Sequence, residues 1–249
     1  MNRLTELSTR ASDDLDKKSV KAETLALLEE FDELQNRLYA GSEHSVLIIL
    51  QGMDASGKDG AIKKVFSHLN PQGIRVQSFK VPTEEELKQD FLWRIHKHAP
   101  EKGMIQIFNR SHYEDVLVTR VHGIIDDEVA SQRFDAINQF EELLVLHNAT
   151  RIFKFYLHIS PEEQSERFAE RVQDERKKWK YNANDDKEAK HWDKYREVYE
   201  DVFENCDAIP WHLIPADQNW YKEYLITKTI VEGLRELELK YPEGKQERS

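Results

Sequence analysis

A single cysteine, Cys206, stands in 249 residues. It excludes an intrachain disulfide and fits a reducing cytoplasm. No run approaches the ~18 apolar residues that a spanning helix needs. With charged residues at 33% of the chain, that excludes a membrane protein. The first ten residues, MNRLTELSTR, lack the apolar stretch of a secretory signal, so nothing directs the chain to export. Positive charge is also short, since 36 Lys and Arg against 47 Asp and Glu leave a net charge of −11. So acidic a surface repels nucleic acid and anionic membranes on average, and neither is expected as a partner. Any polyanionic ligand must be held by a local basic cluster. Glycine, proline and serine form no linker, and there is no repeat or low-complexity tract. What is present, 39% hydrophobic residues, is enough for one core in a single α/β domain.

Leu27, Phe31, Leu34 and Leu38 recur at helical spacing on a charged segment, which predicts an N-terminal helical extension over 1–45, packed on the domain or on a partner subunit. That second possibility points to a homo-oligomer. Residues 46–50 (VLIIL), short and rich in branched side chains, suit a strand buried on both faces. Further strands are expected at 74–81, 104–108, 151–159 and 209–214, with helices between them such as 83–98 and 126–147. Strands alternating with helices predict a mainly parallel five-stranded sheet within a three-layer α/β/α domain over 46–240, followed by a tail at 241–249.

The sharpest motif follows the first strand. Gly52-Met53-Asp54-Ala55-Ser56-Gly57-Lys58 fits G-x-x-x-x-G-K and leads into a helix with Ala61, Ile62, Val65, Phe66 and Leu69 on one face. Glycines let such a loop curl, successive N–H groups meet phosphate oxygens, and the helix N-terminus adds positive potential. Lys58 is expected to reach a terminal phosphate. The Ser or Thr that usually offers Mg²⁺ a hydroxyl is replaced by Asp59, which could serve only the helix dipole. A carboxylate inside an anion cradle, Asp54, points to a metal ligand or to the group that orients an attacking phosphate.

A second cluster closes the third strand: Phe108-Asn109-Arg110-Ser111-His112-Tyr113-Glu114-Asp115. Asn109 stands where such enzymes usually place a Mg²⁺-holding aspartate. Arg110 is suited to neutralising charge on a transferring phosphoryl group. Glu114 and Asp115 are either metal ligands or a charged helix start, and His112 is either structural or functional. A third signal, Ser160-Pro161-Glu162-Glu163, reads as a capped helix start. The helix it opens carries Arg167 and Arg171 and runs towards Arg176, Lys177, Lys178 and Lys180. Residues 171–180 hold five basic and two acidic side chains, followed by aromatic residues. They form either a solvated face or a lid, at about 163–200, over an anionic ligand.

Together these segments, with Trp179, Asp186, Trp192, Tyr195, Ile209-Pro210-Trp211 and Pro215-Ala216-Asp217, resemble the type-two polyphosphate kinases. The resemblance implies a P-loop kinase-like core with a helical lid. It also implies transfer of a phosphoryl group from inorganic polyphosphate to nucleotides with Mg²⁺, or Mn²⁺ in its place. The form Asn-Arg-Ser-His-Tyr-Glu-Asp resembles the class III subgroup, which accepts AMP and ADP and forms ADP and ATP. On this reading Asp54, Lys58, Arg110, Glu114 and Arg171 carry the chemistry, and Asp54, Asn109 and Glu114 face the metal. The substrate phosphates meet Gly52, Met53, Ala55, Ser56, Gly57, Asp59, Gly60 and Lys180, with Lys63, Lys64 and Lys80 available for a donor track. Two other readings stay open on the residues alone: an ATP-dependent nucleotide or small-metabolite kinase, and a non-catalytic nucleotide-binding switch.

Overall fold

The structure is a computed structural model and describes residues 4–175, 178 and 188–243. Its centre is β1 (Ser45–Gln51), whose seven residues are all buried, as expected of a strand covered on both faces. Parallel partners flank it. β3 (Ile105–Asn109) and β4 (Thr150–His158) pair with β1 directly, while β2 (Ile74–Ser78) and β5 (Trp211–Pro215) form the edges, in the order β2-β3-β1-β4-β5. The chain leaves β1 towards one side of the sheet and later returns on the other, so the order reverses at β1. Ligands of open α/β sheets bind at the carboxyl ends of the strands beside such a switch point. The G-x-x-x-x-G-K loop follows β1 at that end, and Leu50 lies in register with both Asn109 and Phe155.

Alternation along β4 shows which helices cover which face. Phe153 lies against Gly233 of α8 (Asn219–Arg235) and stacks with Phe155. Between them Lys154 meets Glu141 of α5 (Asp127–Asn148), and Tyr156 packs on Tyr199 and Phe203 of α7 (Trp192–Asn205). Successive strand residues point to opposite faces; α8 therefore covers one layer, and α5 with α7 the other. The N-terminal helix α1 (Lys17–Gly41) buries Leu27, Phe31, Leu34 and Leu38 in the common core. It lies along α8, pinned by Arg235 to Glu30 at 2.7 and 2.6 Å. The stripe that suggested a partner subunit is thus covered within the chain and supplies no argument for association.

Where α8 crosses β4, a Cβ on Gly233 would lie 2.5 and 2.6 Å from two ring carbons of Phe153. Gly233→Ala is expected to cost about 1–3 kcal/mol through overpacking, against up to ~1 kcal/mol gained in helix propensity. A melting temperature that rose in this variant would show that the ring steps aside.

Two local expectations are corrected. Residues 83–98 form no single helix but a turn at Glu86–Lys88 and a short helix α3 (Trp93–His96). Thr83 and Glu86 do exchange hydrogen bonds at the first turn, at 2.7 and 3.2 Å. The Asp90 carboxylate then accepts the Leu92 N–H at 2.9 Å, a local bond that competes with helix continuation. β2 also ends at Ser78 rather than 81.

Candidate active site

Three elements bring the site together. The phosphate loop leads from β1 into α2 (Lys58–Phe66). Gly57 has a φ of 94°, a conformation L side chains rarely adopt, and a Cβ there would lie 2.2 Å from Lys222 Nζ. The turn from β3 into α4 (Glu114–Val121) holds Arg110 at a φ of 62°, and backbone held in this sparsely populated region commonly marks functional sites. The third element is α6 (Pro161–Gln173), whose N-cap Ser160 Oγ accepts the Glu163 N–H at 3.2 Å, with Pro161 opening the helix as expected.

Arg110 lies between two carboxylates, with one guanidinium nitrogen on Asp54 Oδ1 and another on Glu114 Oε2 at 3.0 Å. Glu114 first, and Asp54 as well, hold its pKa above the usual value, against burial. Lys58 is buried and donates to the Gly52 and Met53 carbonyls at 2.6 and 3.1 Å. Burial, and then the charge of Arg110, push its pKa down to about 8. The buried Ser56 hydroxyl has no hydrogen-bond partner among the described residues, an opening that a phosphate oxygen or a cation-bound water would fill.

Asp54, Arg110 and Glu114 line a cleft together with Gly52 and Met53 of the phosphate loop. Phe168, Trp192, Tyr195 and Tyr199 line it as well. The cleft therefore joins a charged end at the loop to an aromatic wall on α6 and α7, a shape suited to a phosphorylated molecule with a flat ring. Tyr195 is anchored by donating to Glu188 Oε2 at 2.8 Å.

Other expected site residues lie apart from this constellation. Asp59 is exposed and accepts from Asn109 Nδ2 at 2.9 Å, tying the first turn of α2 to the end of β3. Asp115 turns to Arg94 at 3.5 Å, and His112 to Glu141 at 3.2 Å in a buried network, so His112 serves structure. Lys63, Lys64 and Lys80 are exposed, outside the cleft lining. Arg171 lies 5.2 Å from the ring of Phe168, beside the cleft wall. Nothing lies within 4 Å of a Cβ placed on Gly60, so no close contact requires a glycine there. Arg176, Lys177, Trp179, Lys180, Tyr181 and Asp186 lie outside the described residues.

Sequence reasoning missed Gln164, Lys222 and Tyr199 as site residues, and it took Arg167 only as part of a charge run. Lys222 had a visible signal: it precedes Ile226, Ile230 and Leu234 at four-residue spacing on the buried stripe of α8. A charge in that phase requires a buried partner.

Among the described residues no three His, Cys, Asp or Glu side chains gather into a protein-only metal cage. The donors present, two carboxylates at one end of a phosphate loop, fit a hard divalent cation that takes one or two carboxylates and completes its shell with water and substrate phosphates. Asp54 and Glu114 would hold it.

Loop, arginine bridge and aromatic cleft on a parallel sheet define a P-loop phosphotransferase. Residues 14–242 match the model of the family polyphosphate kinase 2 (PPK2), and the chain belongs to that family. It is 45% identical to an AMP/ADP-polyphosphate phosphotransferase of Meiothermus ruber, over 91% of this chain and 85% of that protein. With an ADP-polyphosphate phosphotransferase of Rhodopseudomonas palustris it shares 41% identity, over 87% and 79%. The crystal structure of polyphosphate kinase 2 from Arthrobacter aurescens TC1 superposes with a TM-score of 0.94 at 37% identity, covering 98% of this chain and 89% of that one.

Proposed function

We propose that this chain transfers a phosphoryl group from inorganic polyphosphate to ADP and to AMP, forming ATP and ADP. The observation that carries the reading is Arg110 held between Asp54 and Glu114 beside the phosphate loop, in a cleft that aromatic side chains also line. The loop and Lys58 hold the donor chain. A terminal phosphate oxygen of the acceptor attacks the end phosphorus of that chain, the P–O–P bond behind it breaks, and the shortened chain leaves with the bond's electron pair. Little covalent help is needed; positioning and charge stabilisation do most of the catalysis. Asp54 orients the attacking oxygen, Arg110 offsets charge on the phosphoryl group in flight, and the aromatic wall takes the base and excludes water. Mg²⁺, or Mn²⁺ in its place, supplies charge neutralisation when bound at Asp54 and Glu114. A cytoplasmic location goes with the same reading, since a nucleotide kinase with one buried free cysteine suits a reducing compartment.

The deciding experiment incubates the protein with ADP, Mg²⁺ and polyphosphate, without ATP, and measures ATP. No ATP under these conditions would remove polyphosphate as donor.

Use of AMP as well as ADP rests on Glu114. AMP is one phosphate shorter, so a fixed point of attack leaves a gap, and a carboxylate holding a hydrated Mg²⁺ suits that gap. Glu114→Asn is expected to lower AMP phosphorylation several-fold more than ADP phosphorylation. Initial rates with each acceptor check this, and a proportional loss of both would take Glu114 out of acceptor choice.

A further inference from the structure

Four consecutive carbonyls of the phosphate loop are met from outside the loop by side chains of two distant helices. Gln164 Nε2 donates to the Asp54 carbonyl at 2.8 Å and Arg167 to that of Ala55 at 2.9 Å. Lys222 Nζ donates to those of Ser56 and Gly57, both at 3.4 Å, while Asn219 Oδ1 accepts from the same ammonium at 2.8 Å. None of the three side chains is there by accident of exposure. Gln164 and Lys222 are buried, and Arg167 is fixed a second time by donating to the Ala216 and Asp217 carbonyls at 2.7 and 2.9 Å. Gly57 lacks a side chain where Lys222 and Arg167 converge: a Cβ there would meet them at 2.2 and 3.2 Å.

Peptide planarity gives this arrangement a consequence. In a trans peptide the carbonyl of one residue points opposite to the N–H of the next, and the chain has no cis bonds among the described residues. Holding the carbonyls of residues 54–56 towards α6 and α8 directs the N–H groups of Ala55 and Gly57 the other way; the Gly57 carbonyl also accepts the Ala61 N–H at 2.9 Å as α2 begins, which turns the Lys58 N–H outward, and the Ser56 N–H is instead turned back onto Met53 at 3.2 Å. An array of N–H groups facing outward is what a phosphate-binding nest requires. A free loop would have to be ordered by its ligand at a cost in binding.

We propose that Gln164, Arg167 and Lys222 are positioning residues for phosphoryl transfer, a rear clamp that sets the loop N–H groups towards the phosphate chain. Arg167 and Lys222 lie outside the cleft lining, while Gln164 also lines the cleft. The assignment rests on the reading of this loop as the donor site, and it explains why a lysine is buried in the apolar stripe of α8.

The test compares the parent with Lys222→Met, Lys222→Arg and Gln164→Leu. Steady-state rates are measured against polyphosphate and against ADP, tripolyphosphate and ATP binding by calorimetry, and melting temperatures beside them. For Lys222→Met, kcat/KM for polyphosphate should fall by roughly ten- to hundredfold, the scale of losing an oriented donor. The KM for ADP should stay within about twofold, because the aromatic residues assigned to its base lie outside the clamped loop. Lys222→Arg, which keeps the cation, should recover most of the loss, and Gln164→Leu should show about a fivefold loss of its own. A Lys222→Met protein that keeps its polyphosphate kcat/KM, or that loses both substrates alike in step with lost folded protein, overturns the clamp. If Lys222→Met does not fold, Gln164→Leu decides, and an unchanged rate there overturns it equally. A parent that binds ATP but neither binds tripolyphosphate nor uses polyphosphate would sink the proposed donor. ATP affinity in the same variants would then still judge the clamp, with equal affinities counting against it.

Discussion

Asp54→Asn should lower the initial rate of ATP formation from ADP and polyphosphate by roughly a hundred- to a thousandfold, the scale of removing one charge-orienting group from a preorganised site. Folding should hardly change. The side chain is about 30% exposed in a loop, so its ion pair with Arg110 is partly screened and contributes at most ~1 kcal/mol. Arg110 keeps Glu114 at 3.0 Å as a partner. The Asp54 backbone carbonyl, which Gln164 holds at 2.8 Å, is untouched. A second effect accompanies the first. Lys58, already brought down to about 8 by burial and by Arg110, is supported from below by the charge of Asp54. Without that charge the ammonium of the free enzyme gives up its proton at lower pH, so the alkaline limb of kcat/KM should move towards acid. Rates across pH 6–9, with melting temperatures beside them, check both. A variant that turns over near the parent rate would rule out Asp54 as the group that orients the attacking oxygen.

The parts legible in the sequence share one property: their signal is local. Residues 46–50 of β1 are all apolar because the strand is covered on both faces, and the loop that follows shows its purpose in spacing alone. Ser160-Pro161 announces α6 because a cap and its helix are neighbours in the chain. The parts that stayed hidden depend on residues brought together from afar. Gln164, Arg167 and Lys222 reach the loop across 110, 112 and 166 or 165 positions. Residues 83–98 are expected as a helix from their length between two strands, yet Leu87 is 70% exposed. With that residue in solvent there is no packed face to hold a helix together, and the local bonds of Asp90 decide the path. Charges inside apolar stripes were the one long-range clue on display. Glu141 falls in phase with Phe134, Ile137 and Leu144 on α5, and Lys154 lies in a strand that is buried but for Arg151.

Those two charges form a buried pair, and breaking it should produce the largest stability loss in the protein. Lys154 Nζ donates to Glu141 Oε2 at 2.9 Å, to the Tyr113 hydroxyl at 3.0 Å and to the Cys206 carbonyl at 2.9 Å. Glu141 Oε1 accepts from Tyr113 at 2.7 Å and pairs with His112 Nε2 at 3.2 Å. Glu141 and Lys154 are almost wholly buried. Burial by itself would raise the pKa of Glu141, but the bond to His112 and the charge of Lys154 outweigh it and hold that pKa below the usual carboxylate value. A lowered folded pKa adds stability that is present above the unfolded value and is lost as pH falls through the folded one. Glu141→Gln leaves an ammonium without its counter-charge, which typically costs ~3–5 kcal/mol. In a chain of this size each kcal/mol moves the melting temperature by ~2–4 °C, so a fall on the order of 10 °C is expected at pH 7. The gap between parent and variant should narrow on acidification below pH ~4.5, the unfolded range in which the carboxylate takes up a proton. Because the same carboxylate fixes His112 and Tyr113, the two residues between Ser111 and Glu114, it also holds the turn that presents Arg110. Glu141→Gln should therefore lose phosphoryl transfer even well below its own melting temperature. Pairing Glu141→Leu with Lys154→Met, which removes both charges and leaves apolar groups of similar volume, should restore much of the stability. A double variant no more stable than Glu141→Gln, or a single variant that melts with the parent, would mean that this pair does not hold the turn.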